Sequence, residues 1–153
     1  MRKFQDPHLK IGEVPISEIE IDFKSRDDIP QILLGLKAIY EDRDSLNQIM
    51  EILKKIAPEK KGRPGMDLWN IFVLAMVKLN LNCDYDRLHE LANQHNTLRQ
   101  MLGIGTFDKT YFESKTIQNN IRLFTPEILD QINVVIVKFG HKVTSKKKTP
   151  RKM

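Results

Sequence analysis

The apolar pattern is densest between Leu68 and Val77, where Asn70 is the one polar residue. A helix that is apolar all round is buried all round. This stretch therefore predicts a central helix with the other helices wrapped around it. Asp67 is placed to cap it, its carboxylate accepting from the free N–H groups of the first turn. Lys78, Asn80 and Asn82 close the run. It is too short to cross a bilayer, which takes about 20 apolar residues, so no membrane is expected as a partner.

Upstream, Ile16, Ile19, Ile21 and Phe23 predict a short strand or extended arm, the last three alternating with Glu20 and Asp22. One isolated strand makes no stable sheet. Asp27 or Asp28 then caps a helix with Pro30 in its first turn. Ile29, Ile32, Leu33, Leu36, Ile39 and Tyr40 share one face of it. After the break at Glu41, Asp42, Arg43 and Asp44, Ser45 and Gln48 have capping-box spacing. Leu46, Ile49, Met50, Leu53 and Ile56 make the next stripe, which ends before Pro58. The two helices read as a hairpin packed on the body or on a second copy of the chain, the body being the preferred choice.

Downstream, Asp84 caps a helix with the stripe Tyr85, Leu88, Leu91 and Ala92. Asn96 or Thr97 starts a short helix from 98 to 102, and Gly103 stops it. Residues 104–112 read as a loop with aromatic anchors. Ser114 caps a helix over 115–124 with Ile117, Ile121 and Phe124 inward. Thr125, Pro126 and Glu127 start the last helix. Its stripe is Ile128, Leu129, Ile132, Val135, Ile136 and Phe139, and Gly140 ends it. The expected fold is an all-α multi-helix bundle with a helix-turn-helix-like arrangement, a short extended N-terminal arm and a basic C-terminal tail.

Charge sharpens this division. The chain carries a net charge of +5, but six of its 25 basic residues lie after residue 140 and no acid does. The first 140 residues hold 19 basic against 20 acidic side chains. The body is neutral, and the tail adds sequence-independent attraction for phosphates or serves as a solvated linker. At 153 residues one domain is the default. No apolar run follows Met1 as in a secretory signal. The lone Cys83 excludes an internal disulfide and fits a reducing cytoplasm; beside a buried helix it reads as packing.

Three constellations bear on chemistry. On the helix at 115–124, Lys115, Gln118, Asn119 and Arg122 share the outer face. Arg pairs with guanine, Gln and Asn with adenine, and Lys with guanine or phosphate, so this face has the donor set of a major-groove reader. An ordinary solvated face has the same residue types, and the loop before this helix is longer than a helix-turn-helix turn. His89 and Glu90 look like the start of a zinc helix motif, but position 93 is Asn93 where the second His belongs. No metal and no cofactor are expected. Asp84 and Asp86 lack the rigid scaffold of a two-metal site, and no nucleophile comes with a base, so no enzyme is expected of this chain. In the linker, Gly62, Arg63, Pro64 and Gly65 are similar to a minor-groove hook, although a Gly/Pro hinge is the preferred reading.

Several of these segments together resemble one family. They are 62–69, the buried helix, 84–93, 98–103, 108–111, the helix at 115–124 and Thr125 to Leu129. They are similar to the N-terminal domain of bacterial insertion-sequence transposases of the DDE type. The resemblance spans roughly residues 60–142 and is distributed along them. It implies a helical domain that binds the terminal inverted repeats of a transposon in double-stranded DNA, for DNA transposition and recombination. The catalytic domain of such proteins, with its three metal-binding acids, would follow the basic tail, and the resemblance implies a truncated transposase or a fragment of one. The expected segments are 1–57, arm and helical hairpin; 58–66, linker; 67–140, DNA-binding domain; and 141–153, basic tail leading to an absent catalytic domain. Lys115, Gln118, Asn119 and Arg122 are the expected DNA contacts, with Arg63, Lys146, Lys147 and Lys148 on phosphates. Further expected partners are the chain itself and a full-length transposase, in the cytoplasm at the nucleoid. The alternatives are a stand-alone helix-turn-helix regulator and a helical dimerisation module.

Overall fold

The apolar run forms α3 (Leu68–Leu81), and every residue from 71 to 77 is buried. Asp67 caps it as the sequence predicts, accepting from the Trp69 N–H at 2.9 Å. At its other end Asn82 takes the left-handed conformation at φ 53°, which Asn tolerates better than most side chains. The structure, a computed structural model, describes residues 14–21, 28–56, 66–105 and 107–148, with side chains through residue 141 except that of residue 56. Among the described residues the elements are one 3₁₀ turn and seven α-helices, with no strand.

α1 (Asp28–Glu41) and α2 (Arg43–Ile56) both pack on α3. Leu33, Leu36 and Ile39 from α1, and Leu46, Ile49, Met50 and Leu53 from α2, enter the same core as α3. The hairpin thus belongs to the body. Fully burying each such side chain stabilises the fold by roughly 1.5–3 kcal/mol. α2 begins before the expected capping box. The Asp42 carbonyl accepts from Leu46 N–H at 3.0 Å. Ser45 lies buried inside the first turn, its hydroxyl donating back to the Asp42 carboxylate.

Within the expected short strand or extended arm, residues 16–18 form a 3₁₀ turn, Ile16–Glu18, and the backbone of Ile19 after it is extended. Ile16 and Ile19 are buried against α1, and Lys37 donates to the Ile19 carbonyl at 3.2 Å. Among the described residues there is no strand with which this segment could pair. Phe23 lies outside the described residues, as does the linker 58–65 with Arg63.

α4 (Tyr85–Gln94) and α6 (Ser114–Ile121) pack on α3 and on each other. α5 (Asn96–Met101) sits between them in the chain. His95 caps α5, where Asn96 or Thr97 was expected: its Nδ1 accepts from Leu98 N–H at 3.2 Å. The end of α5 follows the sequence. Gly103, at φ 77°, donates to Gln100, and Ile104 donates to Arg99. This paired closure satisfies the last carbonyls and needs the left-handed glycine.

α7 (Pro126–Lys148) has the expected start, Thr125 Oγ1 accepting from Ile128 N–H at 3.3 Å. Its end differs: the helix runs through Gly140 to Lys148. A glycine stops a helix only by going left-handed, and Gly140 does not. The backbone of Lys146, Lys147 and Lys148 is therefore helical rather than a loose tail. α7 rests mainly on α2. Between α7, α1 and the end of α3 a groove of about 590 Å³ stays open, with Ile32, Gly35, Met76, Leu79 and Ile136 among its lining residues.

Candidate nucleic-acid interface

α6 begins one residue before the expectation and ends earlier. Glu113 is its N-cap residue and makes no side-chain cap bond; Ser114 is already helical. The Ser114 hydroxyl instead accepts from Gln118 Nε2 at 3.2 Å. The helix stops at Ile121, and Arg122 is its C-cap. Thr125 precedes a proline and so resists the helical conformation. Leu123 and Phe124 turn the chain into α7, their N–H groups donating to Asn120 and Ile121.

The spacing predicts the exposed face of α6 and the inward Ile117 and Ile121, but Phe124, expected on the inner face, lies beyond the helix end and is half-buried. Ile117, Asn120 and Ile121 are buried, while Lys115, Asn119 and Arg122 are exposed and Gln118 is half-buried. Gln118 Oε1 accepts from Arg122 Nη2 at 3.5 Å, so the four polar residues lie along one side. Asn120 is the polar residue on the inner face, where it donates to the Thr116 carbonyl at 2.8 Å. In α7 the tail lysines follow the folded body without a break in the helix; Arg63 has no described position.

The loop before α6 is fastened by two side chains that sequence patterning gave no role. Arg99 of α5 donates to the carbonyls of Ala92, Asp108 and Thr110 at 3.1, 3.3 and 2.8 Å. Asn93 of α4 pairs with the backbone of Phe112 in both directions: its Oδ1 accepts from the N–H at 2.7 Å, and its Nδ2 donates to the carbonyl at 3.0 Å. It thus acts on Phe112 as a neighbouring strand would. Asp108 also accepts from the Thr110 N–H and hydroxyl.

The position where a zinc helix motif requires its second His therefore holds a loop clamp. His89 itself faces Tyr111, Nε2 lying 2.8 Å from the hydroxyl, and Glu90 pairs with Arg87 at 3.0 Å. No cluster of three metal-ligating side chains occurs among the described residues. Asp84 caps α4 through the Arg87 N–H at 2.8 Å. Burial pushes the Cys83 thiol up from its ordinary range, against the opposing charges of Lys78 and Arg87. Burial, then the Arg87 charge, lowers the pKa of His95 and favours the neutral ring. That is the form whose Nδ1 can accept from Leu98.

No helix among the described residues is long and apolar enough to cross a membrane. Comparison with family models, curated proteins and solved structures finds no significant match.

Proposed function

We propose that the chain is a DNA-binding domain that reads duplex DNA with the outer face of α6, as the N-terminal domain of an insertion-sequence transposase. The observation that carries this reading is the division of α6. Lys115, Asn119 and Arg122 are exposed, with Gln118 beside them, while Ile117 and Ile121 seat the helix on the core. α6 packed on α3 and α4 supports a helix-turn-helix-like role, with α5 and the clamped loop in place of a short turn. Terminal inverted repeats are the proposed target, and transposition and recombination the setting, at the nucleoid in the cytoplasm. The chain is proposed to have no catalytic centre of its own. Arg63 and the lysines at 146–148 would add phosphate contacts, and a full-length transposase would share the same DNA sites. A stand-alone regulator would use the same α6 face on an operator.

Selection of a preferred site from randomised duplexes tests this, followed by a salt titration against a scrambled duplex. A preference that persists as salt rises supports readout by the body; equal affinities that collapse together assign binding to the lysines alone. With the selected site, Arg122→Ala is expected to cost about 1–3 kcal/mol if Arg122 pairs with guanine. Unchanged affinity removes Arg122 from the interface.

The groove between α1, α3 and α7, bordered by the half-exposed Leu79, favours a second reading, an interaction or dimerisation module. Leu46, Ile49, Met50 and Leu53 of the α2 stripe, which such a module could have offered, are already buried within the chain. Sedimentation separates the readings, since a monomer at micromolar concentration argues against dimerisation.

A further inference from the structure

Phe107 and Tyr111 are large apolar side chains left in solvent, 76% and 55% exposed. Single exposed apolar residues are ordinary, but these two lie four residues apart on one short loop, and that loop is pinned. Arg99 holds its carbonyls at Asp108 and Thr110, and Asn93 holds both backbone groups of Phe112. The Tyr111 hydroxyl is engaged by His89, whose ring meets the tyrosine ring edge-on at 5.3 Å between centroids. The polar end of Tyr111 is thus satisfied by the protein while much of its ring is not covered. Lys109 is exposed between the two aromatics, and Lys115 is exposed in the first turn of the helix that follows.

Exposed aromatic surface on a pinned loop, interleaved with cations, matches one chemistry well: π-stacking on a nucleobase with a phosphate contact beside it. Bases inside a regular duplex are already stacked and offer no free face. We infer that the loop carrying Phe107 and Tyr111 is a stacking platform for an unpaired or unstacked base next to the DNA held by α6. This rests on the DNA-binding reading of α6. The clamp gives the platform its value, because the loop is ordered before DNA arrives and little further ordering opposes binding.

The test compares the full chain with Phe107→Ala and Tyr111→Ala variants on two probes of one sequence. One is an intact duplex and the other the same duplex with a short single-stranded gap holding 2-aminopurine. Thermal melts confirm that the variants fold, as their exposure leads one to expect. The wild type is expected to prefer the gapped probe and to change its 2-aminopurine fluorescence. Phe107→Ala is expected to weaken gapped-probe binding by about tenfold, with a much smaller loss on the intact duplex; Phe107→Trp is expected to restore it. No preference for the gap, or equal loss on both probes, overturns the stacking platform while leaving duplex reading by α6 in place. Absence of binding to either probe overturns both.

Discussion

The indole Nε1 of Trp69, on the central helix, donates to the carbonyl of Met101 at 2.9 Å, and both groups are buried. Tyr40 of α1 meets the same indole edge-on at 5.0 Å between ring centroids. One side chain thus ties the first turn of α3 to the last turn of α5 and to α1. Replacing Trp69 with Phe keeps most of the apolar contact but strands a buried acceptor. The expected loss is about 1–3 kcal/mol, read as a lower urea midpoint. An unchanged midpoint would show that water or a shifted donor satisfies Met101.

Asn93 and Arg99 shape the approach to α6, so their loss should be local. Asn93→Ala removes both hydrogen bonds to Phe112. Amide exchange at Phe112 is expected to accelerate strongly while α2 amides keep their protection. Arg99→Lys should free the carbonyls of Asp108 and Thr110, because an ammonium cannot reproduce the planar fork of donors. If exchange in the loop is unchanged in both variants, the clamp is not what orders it.

Gly140 separates two descriptions of the C-terminal region. A left-handed cap would make Gly140→Ala destabilising. Inside a helix, with nothing within 4 Å of the added Cβ, the same change is expected to stabilise by about 0.5–1 kcal/mol. A lowered melting temperature would return the helix end to Gly140.

His95 gives the fold a pH dependence of definite sign. Its pKa is held below the ordinary 6.5 by burial and by the Arg87 charge. The neutral ring is therefore favoured in the folded chain. This contribution is fully present above about pH 6.5 and is lost as pH falls through the lower folded-state value. Protonation turns Nδ1 from acceptor into donor and ends the cap on Leu98. His95→Asn retains a capping acceptor that does not titrate. Its stability is expected to fall less than that of the wild type as pH drops below about 6.5. Parallel curves would mean that other groups dominate this window.

The sequence by itself determined where most helices lie and which faces they bury. Asp67, Asp84 and Thr125 can satisfy the first N–H groups of a helix locally, and Gly103 can take the turn after one. Those choices involve neighbours in the chain, so a linear pattern carries them. The buried stretch around Phe72 was legible for the same reason, since no solvated helix tolerates apolar residues on every side. The polar face of α6 was also visible as a spacing, although its link to DNA remains a proposal.

Only the tertiary structure decided what depends on distant partners. Asn93 looked like a failed metal ligand until Phe112 was brought beside it, nineteen residues away. Arg99 carried no pattern because its three acceptors are backbone carbonyls, which every residue offers. The alternation at 19–23 suggested a strand or extended arm; Ile16 and Ile19 pack on a helix, and no strand occurs among the described residues. Gly140 could continue or end a helix, and without the left-handed turn the helix ran on to Lys148. Local hydrogen bonding and periodicity can be read along a chain; long-range backbone capture and the choice between equally permitted glycine conformations are settled only when the helices pack.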